Sequence, residues 1–211
     1  MIKLYMTNIG KLPDPHKCPD IMEDLTKERR DRILRSKSEK ARKQSLGAGL
    51  LLKHVLENYG LSQENITYGE NGKPEIKGLY FNLSHSGDVV ICAAGDAEVG
   101  CDIEAIADVK EGVADRFFTQ NEILYLKGFD GEQKRTEFFR LWTIKESYMK
   151  LTGEGMSLSL GDFDVKIGNT ITIERRGMVC PCFVKEYHLE GYKIAVCANG
   201  EDFAEEIEIF E

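Results

Sequence analysis

The strongest constraint on the fold is an internal echo. Asp88-Val89-Val90-Ile91-Cys92-Ala93-Ala94-Gly95-Asp96 returns as Tyr192-Lys193-Ile194-Ala195-Val196-Cys197-Ala198-Asn199-Gly200, with the Cys-Ala pair matched 105 residues apart in a chain of 211. Each copy reads as a buried strand running into a glycine turn, and each follows a long helical stretch, about 38–58 and about 133–151. The chain therefore reads as α+β, a pseudo-twofold duplication of two similar α/β lobes, 1–105 and 106–211, with a cleft between them where a ligand would bind.

Around this frame the local signals are plain. Met1-Ile2-Lys3-Leu4-Tyr5 reads as a strand, and Leu79 to Asp88 as a strand entering a polar turn. Tyr68 to Pro74 is a turn, with Asn71-Gly72 suited to positive φ and Lys73 at its tip. Thr119-Gln120-Asn121-Glu122 has capping-box spacing and starts a helix that runs to about Lys127. Val165-Lys166-Ile167 and Ile171-Thr172-Ile173 are strand-like, and the acidic tail after Gly200 reads as peripheral.

The chemistry concentrates in Val99-Gly100-Cys101-Asp102-Ile103-Glu104. On a strand, Asp102 and Glu104 share a face about 6.6 Å apart, while Val99, Cys101 and Ile103 take the other. Two acids alone on a face make a local negative field, which suits either a hard cation or an acidic surface edge. The cation reading gains weight from Trp142-Thr143-Ile144-Lys145-Glu146-Ser147-Tyr148-Met149-Lys150, where Glu146 and Lys150 stand one helical turn apart. An exposed ion pair at that spacing contributes only ~0.3–0.5 kcal/mol. This helix is apolar over most of its circumference, which argues for more than a decorative pair. Lys145 projects among Phe138, Leu141 and Met149, so it must snorkel or find a buried partner.

Oxygen ligands from Asp102, Glu104 and Glu146, with no histidine or thiolate beside them in sequence, suit Mg²⁺, with Mn²⁺ as a substitute. Mg²⁺ keeps waters and binds phosphate oxygens, so the implied ligand is a polyphosphate, with His85, Lys73 and Lys150 as donors to a pyrophosphate. No glycine-rich phosphate loop of either common type is present, which disfavours a nucleoside triphosphatase or a Rossmann enzyme. The net charge of −8 argues against general nucleic-acid binding. Yet residues 27–43 hold nine basic side chains against three acids, either a local anion site or a solvated helix face. No apolar run approaches the ~20 residues of a membrane span, so the cytoplasm is the expected compartment. The six cysteines lack paired zinc spacing, and Cys92 and Cys197 read as small buried hydrophobes.

Gly72-Lys73-Pro74, Phe81-Asn82-Leu83-Ser84-His85-Ser86, Gly100-Cys101-Asp102-Ile103-Glu104 and the stretch Trp142 to Lys150, in this order, resemble the motifs of the 4′-phosphopantetheinyl transferases. The resemblance is to the long two-lobed type that activates nonribosomal peptide and polyketide synthetase carrier proteins, and it spans most of the chain. It implies the fold of that family in a monomer that binds coenzyme A and Mg²⁺ between its lobes. It also implies transfer of the phosphopantetheine arm to a serine of an apo carrier protein (peptidyl, acyl or aryl), releasing 3′,5′-ADP. Carried over residue by residue, Asp102, Glu104 and Glu146 would hold Mg²⁺, and His85 and Lys150 would contact the pyrophosphate. Lys73, in its motif with Pro74, and Ser84 would contact the nucleotide, Arg29 and Arg32 would face the 3′-phosphate, and Lys43 belongs to the same coenzyme-binding set. Glu146 would be the base, directly or through a metal-bound water, with Lys150 and His85 beside it in the catalytic set. Two other classes remain open, a hydrolase of the same pyrophosphate and a non-catalytic coenzyme A binding module. A carrier would dock on an apolar patch, for which Phe117-Phe118 and Leu124-Tyr125-Leu126 are the candidates if they are not core.

Overall fold

A computed structural model describes residues 1–69 and 72–211, the side chain of Met156 excepted. The first half runs β1 (Ile2–Asn8), α1 (Lys27–Arg35), α2 (Glu39–Asn58), the short pair β2 (Thr67–Tyr68) and β3 (Pro74–Glu75), then β4 (Tyr80–Ser86), β5 (Val89–Gly95) and β6 (Val99–Ala105). The second runs α3 (Val113–Phe117), α4 (Gln120–Leu126), α5 (Gly131–Thr152), then a small sheet of β7 (Phe163–Ile167), β8 (Ile171–Arg175) and β9 (Met178–Val179). It ends with β10 (Phe183–Leu189), β11 (Tyr192–Ala198) and β12 (Phe203–Ile209). Each half thus places a long helix ahead of three consecutive strands, α2 before β4 to β6 and α5 before β10 to β12.

One sheet has the order β12-β1-β5-β4 and another β10-β11-β6. The two echoed strands, β5 and β11, both lie inside their sheets. The last strand of each half crosses to the other sheet: β6 pairs antiparallel with β11, and β12 pairs parallel with β1. The acidic tail is therefore a strand rather than a peripheral extension. Phe203 and Ile207 pack on the core between the sheets, while Glu205, Glu206 and Glu208 are exposed on an edge strand, where charge discourages pairing with other chains.

Alternation along the strands builds the layers. Val89, Ile91 and Ala93 of β5, with Ile194, Val196 and Ala198 of β11, fill the space between the sheets. Val90, Cys92 and Ala94 face Leu51, Leu52 and Val55 of α2, whereas Ala195 and Cys197 face Leu141 and Ile144 of α5. Cys92 and Cys197 are buried among apolar neighbours, as expected. Val99, Cys101 and Ile103 of β6 enter the inter-sheet core, so Gly100, Asp102 and Glu104 face α5.

Gly100 is where the helix comes closest. A Cβ there would stand 2.2 Å from Ser147 O and 2.3 Å from Leu151 N, both backbone atoms that cannot swing aside. Gly100→Ala should therefore lower stability by about 1–3 kcal/mol and push α5 off the strand. A melting temperature equal to wild type would contradict this packing.

Two other devices fix α5. Its C-terminus stops at Gly153, whose φ of 67° is left-handed. Lys145, fully buried, has found a partner: its Nζ donates to Glu122 Oε1 at 2.5 Å and to Phe163 O at 2.6 Å, and lies 4.3 Å from the Phe163 ring centroid. Glu122 also accepts from Val165 N at 2.8 Å and, through Oε2, from Thr119 N at 2.9 Å, closing the expected capping box of α4. One buried ion pair thus ties α4, α5 and β7 together.

Candidate active site

Where the two sheets meet, β4 and β6 run side by side joined by side chains instead of a backbone ladder. Alternate β4 residues face β6: Asn82 Oδ1 accepts from Cys101 N at 3.0 Å, Ser84 Oγ donates to Asp102 Oδ1 at 2.8 Å, and Ser86 Oγ donates to Glu104 Oε2 at 2.7 Å. Ser86 Oγ also accepts from Ala105 N at 3.0 Å. Both acids of the strand are thereby oriented by a hydroxyl.

From α5, Lys150 Nζ donates to Asp102 Oδ1 at 2.6 Å, to Ser84 Oγ at 3.0 Å and to Cys101 O at 3.2 Å. Lys73 Nζ donates to Lys150 O at 3.0 Å, bringing the β2–β3 hairpin to the same point. Asp102 is only 4% exposed, and its Oδ2 has no hydrogen-bond partner among the described residues. A buried carboxylate oxygen left bare is expensive unless something positive completes it.

The electrostatics agree. Burial, then Asp102 and Glu104, push the Glu146 carboxyl above its ordinary range, against the pull of Lys150. Burial raises Glu104 as well, opposed by Ser86 and reinforced by Asp102. Asp102 is raised by burial against Lys150. Burial works against the Lys150 ammonium, but Asp102 outweighs it and holds its pKa above the ordinary value. The site carries more negative charge than its two lysines balance. Among the described residues, no three His, Cys, Asp or Glu side chains, Asp102, Glu104 and Glu146 included, are gathered closely enough to hold a metal ion by themselves. Asp102 Oδ1 is taken by Lys150 and Glu104 Oε2 by Ser86, which leaves the bare Asp102 Oδ2 and half-buried Glu146 as the open oxygens. A hard-oxygen set of this kind fits Mg²⁺, which takes one or two carboxylates and keeps its waters.

The remaining expected residues lie around this seam. His85 is on the other face of β4 from Ser84 and Ser86; partial desolvation and then the Lys150 charge hold its imidazole below the ordinary range. Arg32 stacks 5.8 Å over the Tyr68 ring, and Tyr68 pairs with Pro74, next to Lys73, so the basic helix reaches the site through the hairpin. Burial and the Arg32 charge lower Arg29, and neither arginine has an acidic ion-pair partner among the described residues. Arg42, by contrast, is neutralised by Asp14 at 2.8 and 2.7 Å, and Lys43 is paired with Glu39 at 3.0 Å. Pro74 and Lys73 line a cavity of about 230 Å³ with Tyr80 and Glu98. Glu70 and Asn71 of the expected turn lie outside the described residues; Gly72 has the positive φ, 72°. A larger cavity of about 710 Å³, bounded by Val109, Ile123 and Phe138, lies among α3, α4 and the start of α5, apart from the acids.

The model of the 4′-phosphopantetheinyl transferase superfamily matches residues 98–197, the span from β6 through α5 to β11. A Bacillus subtilis protein named 4′-phosphopantetheinyl transferase ffp is 34% identical over 98% of this chain and 96% of its own. The chain belongs to the 4′-phosphopantetheinyl transferase family. The 4′-phosphopantetheinyl transferase Sfp of Bacillus subtilis strain 168 is 36% identical over the same shares of the two chains. A solved holo-(acyl-carrier-protein) synthase from Bacillus anthracis is 20% identical with a TM-score of 0.41, covering 48% of this chain and 94% of that one.

In this transferase, Asn82 and Ser86, which the sequence offers within the Phe81–Ser86 motif but without a role, tie β4 to β6. The polar residue at every second position of β4 acquires that meaning once β6 is known to lie alongside. Of the apolar residues considered for docking, Phe118 and Leu126 are core, 5% and 3% exposed, while Leu124 is 62% exposed.

Proposed function

We propose that this transferase moves the 4′-phosphopantetheine arm of coenzyme A onto a serine of an apo carrier protein, with Mg²⁺ and release of 3′,5′-ADP. The observation that carries the reading is the bare Asp102 Oδ2 in a seam where Lys150, Lys73 and two more carboxylates meet. The reading takes the enzyme as a cytoplasmic monomer whose partners are coenzyme A and peptidyl, acyl or aryl carrier domains. The ligand would lie between the halves 1–105 and 106–211. Neither nucleic acid nor membrane has a part in the reaction.

Asp102, Glu104 and Glu146 would hold Mg²⁺, which when bound neutralises pyrophosphate charge and orients its oxygens. The serine Oγ attacks the β-phosphorus, the bond from that phosphorus to the bridging oxygen breaks, and 3′,5′-ADP departs. Glu146 takes the serine proton as the hydroxyl attacks. Lys150, kept charged by Asp102, and Lys73 meet the phosphate oxygens, Ser84 positions Lys150 and Asp102, and His85 contributes from the far side of β4. Positioning and charge suffice for phosphoryl transfer, with no covalent enzyme intermediate.

The open arginine pair is the place for the 3′-phosphate. Arg29→Ala/Arg32→Ala should weaken coenzyme A as a donor by about 10²-fold, since charge-assisted hydrogen bonds contribute ~1.5–3 kcal/mol each. Dephospho-coenzyme A should scarcely notice. Equal losses for the two donors in transfer assays would assign α1 another task.

A further inference from the structure

Three of the six cysteines meet under the C-terminal half of α5, in a place the transfer chemistry does not use. Cys197 lies buried on the α5-facing side of β11, opposite Val184 of β10. Cys182 stands two residues before Val184 and packs into the same cluster, so the two thiols are diagonal neighbours on one sheet face, close enough to interact. Cys182 precedes the first rung of the ladder. Its N–H donates to Cys180 O at 2.8 Å across Pro181, which turns the chain into β10. Cys180, the third thiol, is held apart, its Sγ accepting from the Tyr148 hydroxyl at 3.2 Å.

The two facing thiols are unlike. Cys182 is partly buried and Cys197 fully buried, and the Cys197 thiol pulls Cys182 below its ordinary range while being raised itself. The more accessible, more acidic member is the one a small oxidant reaches first, and the buried member is placed to resolve it. Cys92 and Cys101 are both buried and raised, and so are inert by the same rule.

We propose that Cys182 and Cys197 form a redox couple that a peroxide closes into a disulfide. The Cys182 thiolate attacks one oxygen of hydrogen peroxide, the O–O bond breaks, and Cys182 sulfenic acid and hydroxide result. The Cys197 thiol then gives up its proton and attacks the Cys182 sulfur, expelling water. Two thiols lose two electrons, and one peroxide becomes two waters. The link fastens the 180–182 loop to β11 at the residue that pairs with Gly100, where α5 is closest to the sheet.

The test treats the reduced full chain with hydrogen peroxide, alkylates the remaining thiols and maps tryptic peptides by mass. The expected product has lost two hydrogens and joins the peptide carrying Cys180 and Cys182 to the one carrying Cys197. It reverts with dithiothreitol, and it melts at a higher temperature than the reduced chain. Cys180→Ser should keep the link and Cys182→Ser should lose it. A link closed within the Cys180–Cys182 peptide, a link between chains through exposed Cys18, or over-oxidation of Cys182 without any link would overturn the proposal. The wild-type map decides even if a variant fails to fold.

Discussion

Glu146→Gln should reduce transfer by about 10²–10⁴-fold while the melting temperature holds or rises. The carboxylate is half-buried beside Asp102 and Glu104, and both acids oppose its charge. Its folded-state pKa therefore lies above its unfolded value, so ionising it costs folding free energy above that pKa and nothing below both values. Glutamine cannot ionise, so the stability advantage of the variant should be largest at neutral pH and close as the pH falls through the raised pKa. Asp102→Ala should abolish transfer equally but behave differently in the melt. It strips Lys150 Nζ of its 2.6 Å partner and Ser84 of its acceptor, and stability should fall by about 1–3 kcal/mol. Near wild-type transfer by either variant at low Mg²⁺ would mean that the carboxylates do not serve the phosphates.

The largest effect on stability belongs to a residue outside the seam. Lys145→Ala should cost about 3–5 kcal/mol, because it leaves Glu122, 1% exposed, as a buried charge with no cation. Replacing both partners, Lys145→Met with Glu122→Leu, should recover most of that loss, since a buried pair roughly balances its own desolvation. Equilibrium urea unfolding of the three proteins measures both steps. A double variant no more stable than the single one would show that the hydrogen bonds to Phe163 O and Val165 N, rather than the charges, hold α5 in place.

What could be read in advance was local. Alternation in Val99 to Glu104 put Asp102 and Glu104 on one face, the Thr119–Glu122 spacing gave the capping box, and the Cys-Ala echo marked the two interior strands. The exchange of β6 and β12 between sheets could not be read, because a strand's period says which face is apolar and not which neighbour it pairs with. The same gap hid the roles of Asn82 and Ser86, the Glu122 partner of Lys145, and the approach of Cys182 to Cys197. Each depends on how two separate elements pack together, which the pattern of neither element alone encodes. The tail after Gly200 misled for a physical reason: an edge strand is charged on its open side, and its two packing residues, Phe203 and Ile207, are too widely spaced to announce it.

The most direct measurement of the central claim is the intact mass of an apo carrier domain after incubation with this protein, coenzyme A and Mg²⁺. The account predicts a carrier heavier by one phosphopantetheine, with 3′,5′-ADP formed in equal amount, and no gain when the carrier serine is alanine or when Glu146 is glutamine. Cleavage of coenzyme A with the carrier mass unchanged would make the seam a hydrolase site, and coenzyme A bound but intact would make it a binding module. Either result across a panel of peptidyl, acyl and aryl carriers would contradict the account.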